Sequence, residues 1–136
     1  MKQQLLMGLM LLMTATAASA EWTWISVNNE FNVFVDKATI RRNGNLVKMW
    51  HLVDYRKVVD YREVIKTFTG DPYLSQKIQN QYDCKEEKSQ SLGSTSFSGN
   101  MGGGNPVYSV SNTSEWSSVS PESVGEALWK IACGKK

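Results

Sequence analysis

Two cysteines, one histidine and a scatter of carboxylates are the residues of this 136-residue chain that could do chemistry. Cys84 and Cys133 could form a disulfide, supply a thiol nucleophile or contribute half of a metal site. His51, Asp54 and a serine are the parts from which a small hydrolase is built. Asp54 and Asp60 could act as an acid–base pair. The run Gly99-Asn100-Met101-Gly102-Gly103-Gly104 could cradle a phosphate, and Arg41-Arg42 could hold an anion.

Spacing and context argue against most of these. His51 lies mid-strand among alternating residues, and Asp54, three positions on, falls on the opposite face. Six residues of extended chain put Asp54 and Asp60 about 20 Å apart, too far for a pair. The glycine run is followed by neither Lys-Ser/Thr nor a helix, so it reads as a mobile loop by composition. Arg41-Arg42 stand beside Asn43-Gly44 and read as a charged hairpin end. One His and no Cys-x-x-Cys are too few ligands for a zinc site. No catalytic residue, metal or cofactor is therefore assigned, and the chain reads as a non-enzyme.

The elements that position these residues begin with an export signal. Lys2 supplies a positive charge, Leu5 to Met13 is a short uncharged apolar run, and Ala18-Ser19-Ala20 is a small-x-small cleavage site. A spanning helix needs about 20 apolar residues, which this run lacks, and no later segment is apolar enough. Residues 1–20 thus read as a leader cut between Ala20 and Glu21, and 21–136 as one mature domain. With no cysteine at the cut, a lipoprotein is not expected. The periplasm is the expected compartment, with the outer surface or medium as alternatives. After export, fourteen Lys and Arg face thirteen Asp and Glu, a net +1. That balance points to neither nucleic acid nor an acidic membrane surface as partner. An even cysteine count in an exported chain suggests the Cys84–Cys133 bridge over the thiol or metal alternatives.

The mature chain is mostly strand. Trp22 to Asn28, Phe31 to Asp36 and Tyr73 to Cys84 alternate apolar and polar residues, and Ala38 to Arg42 and Leu46 to Tyr55 flank the Asn43-Gly44-Asn45 turn. Ser89 to Phe97 and Val107 to Val110 add two more. In Tyr73 to Cys84, Leu74, Ile78, Tyr82 and Cys84 share a dry face and Ser75, Lys77, Gln79 and Gln81 a wet one, as in an antiparallel sheet. Val53-Asp54-Tyr55-Arg56 is doubled at once in Val59-Asp60-Tyr61-Arg62, and an even spacing of six would let one strand run through both copies. Ser120-Pro121-Glu122-Ser123 predicts a helix start with Ser120 as cap, Val124, Ala127, Leu128 and Ile131 a stripe, and Gly134 the stop. On an ideal wheel Cys133 falls off that stripe, so the last turn is expected to fray or tighten to bring its sulfur to the sheet.

Several segments together carry a resemblance. Met49-Trp50-His51-Leu52-Val53-Asp54-Tyr55, Tyr73-Leu74-Ser75-Gln76-Lys77 and Tyr82-Asp83-Cys84 are similar to the surface-adhesin protein E family of bacterial exported proteins. So are Gly99 to Gly104, Trp116 to Ser123 and Glu126 to Cys133, which extends the likeness over nearly the whole mature chain. The resemblance implies an α+β fold: one antiparallel sheet of about six strands with a C-terminal helix held on one face by a Cys84–Cys133 bridge. It implies kinship with surface adhesins of Gram-negative bacteria, whose better-known members bind host proteins such as vitronectin and laminin. Two departures stand out: no lipid-anchor cysteine, and extra length at the doubled segment and at Phe68 to Asp71.

The function expected is therefore an exported envelope protein that binds a protein partner, host or envelope, through Trp22, Trp24, Tyr55 and Tyr61. Core packing of those aromatics is the alternative use for them. A structural or stress-related periplasmic component with no host ligand is the second reading, and free sheet edges leave room for a homodimer. A hydrolase on His51 is the third, set aside on the spacing above.

Overall fold

The computed structural model describes residues 21–136. The leader and all but Glu21 of its cleavage site lie outside the described residues.

Six strands follow one another in space as they do in sequence: β1 (Thr23–Val27), β2 (Phe31–Asn43), β3 (Leu46–Val59), β4 (Tyr73–Asp83), β5 (Lys88–Phe97) and β6 (Pro106–Val110). Every pairing is antiparallel. A two-residue strand, β7 (Ser117–Ser118), pairs with β5 beyond the end of β6, and the helix α1 (Val124–Cys133) closes the chain. The fold is the expected α+β arrangement of one sheet and one C-terminal helix.

The sheet buries Val33 and Val35 of β2, Val47 and Met49 of β3, and Tyr82 of β4 against Leu128, Trp129, Ala132 and Cys133 of α1. A ten-residue helix is marginal alone in water, so α1 depends on this contact. Three ties fix it there. Cys84 and Cys133 are joined, with Cα atoms 5.6 Å apart. Trp129 Nε1 donates to Asp83 O at 2.9 Å, and Arg42 Nη2 donates to Cys133 O at 3.3 Å. Arg42 thereby sets a cation at the negative end of the helix dipole.

The helix begins later than the sequence suggested. Ser123 is the cap: its Oγ accepts from Glu126 N and donates to Ser120 O. Pro121 and Glu122 form a turn before it, Glu122 at φ 59°. The buried stripe is Leu128, Trp129, Ala132 and Cys133. It is rotated from the expected Val124–Ile131 line, so Cys133 faces the sheet with the last turn intact. Gly134 ends the helix in a left-handed conformation, with Gly134 N donating to Ile131 O and Lys135 N to Lys130 O, the Schellman pattern.

A bulge in β2 divides the sheet's two faces. Val33 and Val35 face α1, but the register shifts between Asp36 and Arg41. Thr39 Oγ1 fills the break, donating to Asp36 O and accepting from Trp50 N. Beyond the bulge the parity is reversed, because Asp36 to Arg41 advances five positions on β2 against two from Trp50 to Lys48 on β3, an odd surplus of three. Ile40 joins the core, Arg41 pairs with Lys48 on the opposite face, and Arg42 reaches the end of α1. The two runs read as separate strands, residues 31–36 and 38–42, are one strand kinked here.

The opposite face is drier than the alternation implied. Leu52 and Ser75 are fully buried on it, because the glycine-rich segment packs over them. A 3₁₀ turn at Asn100–Gly102 is pinned to the sheet. Asn100 Nδ2 and Met101 N both donate to Asp54 Oδ1, at 3.1 and 2.7 Å. Ser75 Oγ donates to Gly99 O and accepts from Gly102 N. A Cβ on Gly102 would stand 2.5 Å from Lys77 Cε, at the movable end of that side chain, and its φ is 73°, so it is the conformation that favours glycine. The segment expected to be mobile is a fixed cover. Glycine composition signals conformational freedom in the unfolded chain, and here that freedom lets the backbone lie close to the sheet.

The Cys84→Ser/Cys133→Ser double variant should lose up to roughly 4 kcal/mol, the chain-entropy value for a loop of this length, as read by denaturant melts of oxidised protein. Asp54→Ala should cost about 2 kcal/mol, the range for hydrogen bonds to a charged acceptor. It should also speed hydrogen exchange at Met101 and Gly102 while leaving β3 protected.

Candidate functional site

Among the described residues none hydrogen-bonds His51 Nδ1. The side chain faces the helix side of β3, 5% exposed, between its register neighbours Val35 and Ile78. Burial depresses its pKa to about 4, so the ring is neutral at pH 7. Asp54 is on the opposite face, engaged by the glycine-rich cover. Ser75 is engaged there too, and Ser96 accepts from Gln76. Among the described residues no cluster of His, Cys, Asp or Glu could hold a metal, and no helix is long and apolar enough to cross a membrane.

The feature that the fold assembles is a row of aromatic rings at the far end of the sheet from the β2–β3 hairpin. Phe31 of β2 meets Tyr55 of β3 edge-to-face at 5.9 Å, and Tyr55 meets Tyr73 of β4 at 5.7 Å. Tyr73 touches Tyr61 at 6.3 Å, Tyr61 touches Phe68 at 5.9 Å, and Phe68 touches Tyr108 of β6 at 5.2 Å. Such contacts contribute about 0.5–1.5 kcal/mol each beyond burial. Tyr55 is oriented further: its hydroxyl donates to Gln76 Oε1, and Gln76 Nε2 donates to Ser96 Oγ. Burial and the neighbouring Tyr61 push the Tyr55 pKa up, and burial does the same to Tyr73, so both hydroxyls stay protonated. Gly70 passes beneath the Phe68–Tyr108 pair, where a Cβ would stand 2.7 Å from the Phe68 ring.

Four of these rings belong to the strands, and Tyr61 and Phe68 come from the β3–β4 connection. The doubled segment does not continue as strand. Its first copy ends β3, and its second leaves the sheet at Asp60, whose Oδ1 accepts from both Arg62 N and Arg62 Nε. That fork holds Asp60 down to about 2. Val64 N and Ile65 N then donate to Tyr61 O, and Phe68 N to Ile65 O. The connection is thus folded back across the row, and it presents apolar groups outward. Val58 is 58% exposed, Tyr61 43%, Val64 81% and Ile65 48%. Beside them is a cleft of about 450 Å³ lined by Glu30, Tyr55, Arg56, Val58, Val59 and Tyr61 among others.

Of the four residues singled out from the sequence, the structure brings Tyr55 and Tyr61 together through Tyr73. Trp24 is exposed, but it pairs with Phe34 on the face away from α1, and half-buried Trp22 precedes β1. Phe31, Phe68, Tyr73 and Tyr108 were not singled out. The one local signal for them was the Gly70-Asp71-Pro72 break, which turns the connection back toward Tyr73.

Fold and site define a small, single-sheet α+β domain with a disulfide-held C-terminal helix and an aromatic end left open to solvent. The chain matches the family described as Surface-adhesin protein E over residues 22–134, and it belongs to that family. Membership places it in a class of exported, non-enzymatic proteins. Among solved structures it is similar to Haemophilus influenzae protein E in its crystal form II. The identity is 12% and the TM-score 0.59, over 80% of this chain and 91% of that one; at that identity the likeness bears on the fold. No curated protein matches the chain.

His51 predicts an acid-dependent stability. The unfolded imidazole takes up a proton near pH 6.5, and the folded one resists down to about 4. The unfolded state therefore binds more protons between these values. Stability is intact above 6.5 and falls as pH drops through this window, by on the order of 3 kcal/mol from this residue. Melts of His51→Phe against the parent at pH 7 and pH 4 should show the parent losing that much more.

Proposed function

We propose that this protein is an exported binding module that engages a protein partner through the aromatic end of its sheet. The contact surface is Val58, Tyr61, Val64 and Ile65, with the cleft along Tyr55 and Val59 beside it. The observation that carries this is that exposed apolar side chains gather on one short stretch that is backed by packed rings. Interfaces are enriched in aromatic anchors held this way, whereas scattered surface apolar groups need no explanation. Family membership supports the adhesin character. The leader reading, with cleavage between Ala20 and Glu21 and no cysteine there, supports the periplasm as the first compartment and an envelope protein as partner. Pairing of a second copy along the β1 or β6 edge is compatible with this surface, which lies on neither edge.

The test is capture of envelope and extracellular proteins by the oxidised mature domain, 21–136, beside a Tyr61→Ala/Val64→Asp variant. A specific partner should be retained by the parent and by Trp24→Ala, and should bind the double variant at least about tenfold more weakly, as for loss of a hot spot. Equal binding by all three would remove the surface from consideration. Cell fractionation decides the class of partner: protein confined to the periplasm excludes a host ligand. Sizing of the purified domain reads the homodimer.

A further inference from the structure

The opposite end of β3 carries a second, chemically different cleft. Arg41, Lys48 and Gln81 are register neighbours on β2, β3 and β4. All three lie on the face away from α1, where the β2 bulge has turned Arg41. Asn43, Leu46 and Asp83 form the next row, where Asp83 Oδ1 accepts from Lys85 N and Glu86 N in the β4–β5 turn. Arg41, Arg42, Asn43, Leu46, Lys48 and Gln81 line a cleft of about 220 Å³. Among the described residues three cations line it and no carboxylate does. The ion pairs among the described residues are Arg62–Asp60 and Lys130–Glu126, so none of the three is neutralised there. Two of them are also held in place. Arg41 Nη1 donates to Ala38 O and Ile40 O, and Arg42 donates to Gly44 O and Cys133 O. The Arg41 bonds use Nη1, which leaves Nη2 and Nε uncommitted, and Lys48 has no hydrogen bond from its ammonium among the described residues.

We propose that this cleft binds a glycan that carries a tetrahedral oxyanion, sulfate or phosphate. A guanidinium fork and an ammonium at adjacent register positions match such a group, whose oxygens are all acceptors. Charge alone would equally suit an acidic peptide. The other two polar side chains favour the glycan. Asn43 and Gln81 each bring an acceptor oxygen as well as a donor nitrogen. A carboxylate has no use for the acceptor, whereas each sugar hydroxyl both gives and receives a hydrogen bond. The site stands at the far end of β3 from Tyr61, so it stands or falls independently of the protein-binding surface proposed above.

The experiment is titration calorimetry of the oxidised mature domain at physiological ionic strength. The probes are a sulfated heparin-derived hexasaccharide, a phosphorylated oligosaccharide from deacylated lipopolysaccharide, desulfated hexasaccharide, hexaglutamate and inorganic sulfate. At least one of the two charged oligosaccharides should bind, and which one does identifies the source of the oxyanion. Lys48→Glu and Arg41→Gln should each weaken that binding about tenfold or more, as expected for a lost charge contact. Lys57→Glu, at the other end of β3, should leave it unchanged. Melting temperatures check that each variant is folded, and Lys48→Gln serves if the reversal is not. Four results would overturn the proposal: no binding by either charged oligosaccharide, equal binding by hexaglutamate, inorganic sulfate as the sole ligand, or no effect of the Lys48 and Arg41 changes.

Discussion

The docking of α1 on the valine-lined face of the sheet is the contact from which the rest of the structure follows. Neither partner stands alone: a helix of three turns is marginal in water, and a single sheet with one bare apolar face would expose Val33, Val35, Val47 and Met49 to it. The helix supplies Leu128, Trp129 and Ala132 as cover, and the sheet supplies the surface that holds the helix. The bridge to Cys84 closes a loop with a sequence separation of 49, which removes much of the entropy that would otherwise favour release of the helix. For a domain of this size, where net stability is typically about 5–15 kcal/mol, that constraint is a large share of the total.

Given that cover, parity governs everything else. One bulge in β2 sends Ile40 into the core, Arg41 out to the far face and Arg42 to the carboxyl end of α1. The same residue pair thus does two jobs, one in holding the helix and one in lining a basic cleft. The far face is divided in turn. The glycine-rich segment covers Leu52 and Ser75 near the middle, and the hairpin end stays open, with Lys48 and Gln81 exposed or half-exposed upon it. The cover is held by Asp54, the carboxylate whose spacing from His51 and Asp60 had argued against catalytic work. Its Oδ1 accepts from Asn100 and Met101.

The aromatic end shows how an insertion can make a surface. The second copy of Val-Asp-Tyr-Arg does not lengthen the strand, because Asp60 accepts from Arg62 and turns the chain out of the sheet. Tyr61 then comes to rest on Tyr73, Phe68 on Tyr108, and the apolar groups between them are left exposed by the described residues. A flexible loop would collapse those groups inward or lose them to solvent. Here the ring-to-ring contacts beneath hold Val64 and Ile65 outward.

The sequence by itself determined most of the strand segments, their antiparallel character, the single C-terminal helix and its glycine stop. Those follow from period-two and period-3.6 alternation, which is local. The bridge was legible too, from the cysteine count and compartment together with the family resemblance. Tertiary structure alone decided which face of α1 is buried, because the stripe rotates to bring Trp129 Nε1 to Asp83 O and Cys133 to Cys84. It decided that the glycine-rich segment is a cover, because the hydrogen bonds that fix it come from Asp54 and Ser75, far away in sequence. It also separated Trp24 from Tyr55 and joined Tyr55 to Tyr61, since neighbours across a sheet are set by register and bulges. Composition carries no record of those long-range pairings, and it was in them that both candidate surfaces arose.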